Sequence, residues 1–339
     1  MSRPTRARSS LTLAVLVMLL GAAMLAGVGL GAVWIAPSEI LGVLGRVVSG
    51  APTQVSDAVI LDIRLPRVLL AAMVGACLAV AGVLYQALFR NPLADPYILG
   101  VSSGAGLGAI LVIVSTTTAT AWRYLGLPLG AFTGALLTIL LVVRLASWRG
   151  RLDTASLLLA GVAISYTLAA LTSFVMVLSR ESMASVVFWM MGGLTAASWK
   201  YVAVIAPMLL VGVVFPLTRA RELNLMLLGD TRASELGVDV ERFKRLILAA
   251  GSLLTAAAVS VSGLIGFVGL MTPHAVRLIL GPDHKMLVPA SMLGGATVMV
   301  LADLVARTVL APVEIPVGIV TALAGGPFFV WLLIRGERT

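Results

Sequence analysis

Uninterrupted apolar runs of about 20 residues, the length that crosses a hydrocarbon core ~30 Å thick, recur from one end of this chain to the other. No other feature constrains its fold as much. With 60% hydrophobic and only 12% charged residues over 339, a water-soluble fold would leave much apolar surface uncovered. The ~10-residue alternating segments of a lipid-facing barrel are not visible. The fold class expected is all-α: a polytopic membrane protein of about ten transmembrane helices, one domain over residues 1–339. The single cysteine, Cys77, excludes a disulfide framework or cysteine metal cluster within the chain.

The spans are expected at about 11–33, 65–88, 95–114, 125–145, 154–178, 200–217, 243–263, 266–281, 286–305 and 316–334. The first lies in a 26-residue uncharged run, longer than the ~7–15-residue apolar core of a secretory signal, so it is read as a retained helix. After it, Ser38 is placed as the cap of a short amphipathic helix reaching Val48. The second span is expected to start at the RLPR run and to stop at Arg90-Asn91-Pro92. Gly100, Gly104 and Gly108 in the third, and Gly126, Gly130 and Gly134 in the fourth, recur at four-residue spacing and are read as helix-packing stripes. The fifth carries Thr154, Ser156, Ser165, Tyr166, Thr167, Thr172 and Ser173. Its hydroxyls either line a watery path or bond back to their own helix, and spacing leaves both readings open. SVVFWMMGGL is placed at the outer interface, with Trp189 among headgroups. Pro273 is expected to interrupt the eighth span.

Between the sixth and seventh spans lies the one long polar segment, residues 218–245. Two short helical pieces are expected there, at 223–228 and 230–236, separated by Gly229, with Asp230 as N-cap and Gly237 as stop. Leu225, Leu228, Ala233 and Leu236 are apolar residues that a wholly solvated connector would not need. With the N-terminus inside, 17 of the 24 lysines and arginines fall on inner segments, including six in this loop. That bias accounts for the net charge of +9 without nucleic acid, and it places the polar loop and both termini in the cytoplasm. The second and seventh spans share a faint alanine-rich echo, as inverted transporter repeats do.

No GxxxxGK[ST] loop occurs, so the chain is not expected to bind ATP itself. His274 and His284 lack paired metal-ligand spacing and are read as structural. No acid sits mid-span: Asp62, Asp303 and Glu314 fall near outer boundaries. An ion-coupled carrier normally needs ionisable groups at depth, and an intramembrane enzyme a catalytic pair. What remains is a passive pathway driven from outside, with the polar loop as the point of attachment.

Residues 64–109, RLPRVLLAAMVGACLAVAGVLYQALFRNPLADPYILGVSSGAGLGA, resemble the signature stretch of FecCD-type permeases. LGDTRASELGV at 228–238 is similar to that family's coupling segment. DTASLLLAG, FWMMGGL and most of residues 263–333 also match, so the resemblance spans nearly the whole chain. It implies the type II fold of membrane subunits in ATP-binding cassette (ABC) importers for ferric siderophores, haem or vitamin B12. Such a subunit is not an enzyme; ATP and Mg are bound by a separate cytoplasmic ATPase. The resemblance places ATPase coupling on Leu227, Leu228, Gly229, Asp230, Arg232, Glu235 and Leu236. It gives Arg64, Arg67 and Arg307 to docking of an extracytoplasmic binding protein; the bland alternative is anchoring at headgroups. Asn91, Leu93, Asp153, Thr154 and Ala155 match the cytoplasmic gate. Asp153 and Ala155 depart from the hydroxyl-rich pattern of the vitamin B12 members, which weighs against vitamin B12 as cargo; a ferric siderophore is the first reading, with haem and vitamin B12 the alternatives within the family. A second permease subunit, expected to be identical, and membrane lipid complete the partners. An ion-coupled secondary transporter is the alternative from another class.

Overall fold

The computed structural model of the protein describes residues 6–31, 33–49, 55–115, 120–147, 152–179 and 182–336. Several bases in the orientation count (Arg3, Arg149, Arg151, Arg180 and Arg338) lie outside the described residues. In chain order the elements are α1 (Arg6–Gly29), α2 (Pro37–Ser49), α3 (Val55–Ala58), a π-helical turn (Val59–Arg64) and α4 (Leu65–Phe89). There follow α5 (Val101–Ser115), α6 (Thr120–Ala146), α7 (Thr154–Leu178), α8 (Met183–Met190) and α9 (Trp199–Thr218). The last are α10 (Ala220–Met226), α11 (Asp230–Glu235), α12 (Val240–Ser262), α13 (Val268–Leu280), α14 (His284–Thr308) and α15 (Val317–Gly336).

Eight of these helices are long and apolar enough to cross a membrane, and α5 and α13 are shorter apolar helices. The ten expected spans are thus all present as helices. At 1.5 Å per residue, α5 rises only about 22 Å and α13 about 20 Å, less than the hydrocarbon thickness. Residues 95–100 and 263–267 continue the path as irregular chain, which the membrane interior tolerates only inside protein. The two irregular segments meet. The Tyr97 hydroxyl donates to the Ile265 carbonyl at 3.1 Å and accepts from the Ile265 N–H at 3.2 Å. Tyr97→Phe would strand both backbone groups of Ile265, which is 1% exposed, so it should cost about 1–3 kcal/mol. A lowered unfolding midpoint in detergent would show this; an unchanged midpoint would refute the bridge.

At the centre stands α4, packed against α9, α12, α13 and α14. Pro66 sits in its first turn, where no N–H is needed. At its far end Arg90 takes the left-handed conformation (φ 50°), and the Asn91 N–H bonds the Gln86 carbonyl at 3.2 Å. The expected stop at Arg90-Asn91-Pro92 holds. The glycine stripes also pack as expected. A Cβ on Gly104 would meet the Gly134 carbonyl at 2.5 Å, and one on Gly108 the Gly130 carbonyl at 2.0 Å, so α5 and α6 touch backbone to backbone.

Several boundaries differ from expectation. The first helix ends at Gly29 rather than near 33, because side chains from elsewhere cap its last carbonyls. The amphipathic helix starts at Pro37, so Ser38 lies inside it and is not its cap. The second span begins well before RLPR: α3 and the π-helical turn lead straight into α4. The third begins at Val101, not 95. Pro273 does not interrupt the eighth; α13 continues through it. Trp189 is only half-exposed, packs against the core and lines a cavity of about 270 Å³ with Arg67, Tyr201, Ser262 and Glu314. On α7 the hydroxyls of Ser165, Thr167 and Ser173 bond back to the carbonyls of Gly161, Ala163 and Ala169.

Candidate functional site

Two polar clusters stand at opposite ends of α4. The first surrounds its N-terminal end. There Arg64 donates to the carbonyls of Val28 at 2.7 Å, Gly29 at 3.0 Å and Val33 at 2.5 Å. Arg307 donates to the Gly27 carbonyl and lies 3.4 Å from Asp303. Cations at a helix C-terminus satisfy its orphan carbonyls and oppose its negative dipole end. Arg67 forms forked pairs with Asp303, nearest contact 2.9 Å, and with Glu314 at 2.9 and 3.0 Å. Arg64, Arg307 and Asp303 are buried, while the Glu314 side chain is 37% exposed. The structure therefore brings Arg64, Arg67 and Arg307 together. Their partners are the last carbonyls of α1, the Val33 carbonyl, Asp303 on α14 and the part-exposed Glu314 after it.

The second cluster is the polar loop with the two turns beside it. Leu223, Met226 and Ala233 are buried and hold α10 and α11 against the bundle. Gly229 between the two helices has φ 98° and Gly237 after them φ 88°, a left-handed conformation that glycine adopts without strain. The Val238 N–H closes the stop by bonding the Ala233 carbonyl at 3.0 Å. The two expected pieces and both glycine roles are observed. One detail is corrected: Gly229 occupies the N-cap position, and Asp230 is the first helical residue. Its carboxylate reaches Lys244 at 2.5 Å and Arg90 at 3.8 Å instead of capping. Leu227, Leu228 and Leu236 are 38%, 50% and 55% exposed, and Arg232 and Glu235 are exposed beside them.

The gate candidates lie at this same end. Asn91 and Leu93 are exposed in the turn after α4, where the Asn91 side chain accepts the Leu93 N–H at 2.9 Å. Asp153 caps α7, accepting the Ser156 N–H at 3.0 Å and its hydroxyl at 3.1 Å. Those bonds hold its carboxyl below the ordinary aspartate range, so it is ionised at neutral pH. Thr154 is half-buried and Ala155 exposed. Sequence reasoning missed Leu152, Glu241 and Lys244, which join this turn to α12, and Asn224. The Asn224 carbonyl oxygen accepts from the His284 N–H at 2.9 Å and from its ring Nδ1–H at 2.7 Å, pinning α10 to α14. That gives His284 the structural role expected of it. These partners lie 60 or more positions apart, so no local pattern announces them.

Nine apolar helices with an enclosed α4, and a helical loop carrying exposed leucines hung on one end, define a polytopic helical membrane protein. A family model described as the FecCD transport family matches residues 16–335, and the chain belongs to that family. It is 47% identical over 284 residues to the cobalamin import system permease protein of Halobacterium salinarum, covering 84% of this chain and 75% of that one. It is 43% identical to the hemin transport system permease protein of Yersinia pestis, covering 84% and 86%. A solved structure described as an inward-facing conformation of a metal-chelate type ABC transporter superimposes with a TM-score of 0.84 at 34% identity. That match covers 95% of this chain and 98% of that one.

Proposed function

We propose that this permease works within an ABC importer that carries a bulky iron chelate, foremost a ferric siderophore, across the inner membrane. The observation that carries the reading is the exposure of Leu227, Leu228 and Leu236 just past the C-terminal ends of two short helices whose Leu223, Met226 and Ala233 are buried. A docked ATPase subunit, holding ATP and Mg itself, covers that face and drives the cycle. The polar loop and both termini are then cytoplasmic. A binding protein delivers cargo at the other end, where Glu314 and, through it, Arg67 are the charges it meets first; Arg64 and Arg307 brace the site from within. A second copy packs on the little-buried α7, whose Leu159, Tyr166 and Phe174 are exposed, while α1 and α15 face lipid.

Leu228→Glu with Leu236→Glu should weaken ATPase binding, read by co-purification from membranes, by about tenfold or more, since it places charges in an apolar contact. Expression and fold should be kept, because both positions are about half exposed. Undiminished co-purification would refute this face as the ATPase contact, and unchanged uptake without any ATPase partner would favour an ion-coupled carrier instead. For cargo, radio-labelled ferric siderophores, hemin and cobalamin are offered to cells with and without the chain. Loss of ferric siderophore uptake on deletion, restored by the intact chain, supports the preferred cargo. Cobalamin is the second reading, favoured by the 47% identity to a cobalamin permease.

A further inference from the structure

Asp230 opens α11, and its carboxylate stands between the two turns that hold the gate candidates. One oxygen meets Lys244 Nζ at 2.5 Å. That ammonium also donates to the Leu152 carbonyl at 3.2 Å, while the Leu152 N–H bonds Glu241 at 2.9 Å. Leu152 is thus gripped on both of its backbone groups by the first two turns of α12. The next residue is Asp153, the cap of α7, followed by Thr154 and Ala155. The other Asp230 oxygen faces Arg90 at 3.8 Å. Arg90 immediately precedes Asn91, and its guanidinium also lies close to Gly229, 3.0 Å from where a Cβ would stand.

The two arms differ in stiffness. The Lys244 side chain is 4% exposed and its bond to the Leu152 carbonyl is buried, so that end of the arm is shielded from water and salt, while the Asp230 carboxylate it meets is 42% exposed. The Arg90 arm is 42% exposed and long, which makes it weak. A displacement of α11 is therefore transmitted firmly to the turn before α7 and loosely to the turn after α4.

We propose that Asp230 and Lys244 are positioning residues that pass movement of the polar loop into the gate, chiefly through Leu152 to the start of α7. The inference rests on the importer reading above and adds a defined mechanical route to it. Neither residue touches cargo. Lys244→Met keeps the stem that fills the buried slot and removes the charge that joins α11 to Leu152.

The test uses the complete transporter with its own ATPase in nanodiscs. The buried Cys77 is replaced by alanine, and a single cysteine is placed by Ala155→Cys or Leu93→Cys. Maleimide labelling is timed without nucleotide and in the vanadate-trapped Mg–ATP state. In the parent complex the labelling rate at position 155 should change by about fivefold or more between the states. Lys244→Met should bring that ratio close to one while position 93 keeps its response and ATP is still hydrolysed. Asp230→Asn, conservative in shape at a part-exposed site, should abolish the response at 155 and reduce it at 93. A full response at 155 in either variant overturns the proposal alone. No nucleotide response at either site in the parent complex overturns the importer reading with it.

Discussion

Asp303→Ala is expected to destabilise the folded protein by about 3–5 kcal/mol, the cost of breaking a buried ion pair from one side. Asp303 is 1% exposed and stands between Arg67 and Arg307. Arg67 keeps Glu314 when the acid is removed, but Arg307, 9% exposed, keeps only the Gly27 carbonyl. An uncompensated guanidinium would then sit where α1, α4 and α14 meet. Denaturant or thermal unfolding in detergent measures the loss. Glu314→Gln is the comparison. It removes a charge from the same network at a side chain 37% exposed, so water takes over, and a loss below about 1 kcal/mol is expected. Equal losses for the two variants would refute the account of the cluster as a buried brace. Replacing Asp303 and Arg307 together by leucine and methionine should recover part of the loss, since no lone charge remains, though the Gly27 carbonyl would still lack its donor.

Gly82→Val is expected to prevent stable folding. A Cβ at Gly82 would fall 1.7 Å from the Gly269 carbonyl oxygen and 2.7 Å from its carbon. Both are backbone atoms, so relief requires α4 and α13 to part, at more than the ~1–3 kcal/mol of ordinary overpacking. The carbonyl has a reason to be there. Pro273, four residues on, has no N–H to offer it, so the carbonyl is free of its usual helical partner and abuts the flat face of Gly82. Gly106→Ala is the control, because nothing lies within 4 Å of a Cβ there and alanine is the better helix former. Yield of monodisperse protein should collapse for the first variant and hold for the second. Normal yield of Gly82→Val would show that the two helices do not make this contact.

Much of the architecture was legible because it follows from local composition. A window of about 20 apolar residues reports a span wherever it occurs, and the centres of all ten spans were placed correctly. Gly229 and Gly237 marked the division of the polar loop because a left-handed turn is a property of one residue. Leu223, Met226 and Ala233 are buried and hold that loop against the bundle while Leu228 and Leu236 stay exposed, a division that composition alone could not make.

Ends and partners were a different matter. α1 stops at Gly29 because Arg64 and Arg307, 35 and 280 positions from the carbonyls they take, supply its missing donors. The same contacts bury arginines that a linear reading places at the surface. α5 and α13 are cut short because residues 95–100 and 263–267 can bond each other through Tyr97, a bond between segments 168 positions apart. Lys244 looks like one more loop base until the fold sets its ammonium between Asp230 and Leu152. By itself the sequence determined how many helices cross, where the polar loop lies and how that loop is divided, since each depends on the free energy of a short stretch in lipid or water. Only the tertiary structure decided where helices end, which charges are buried and which turns are bonded to one another. Those depend on donors and acceptors brought from distant positions to satisfy backbone groups that the membrane interior leaves without water.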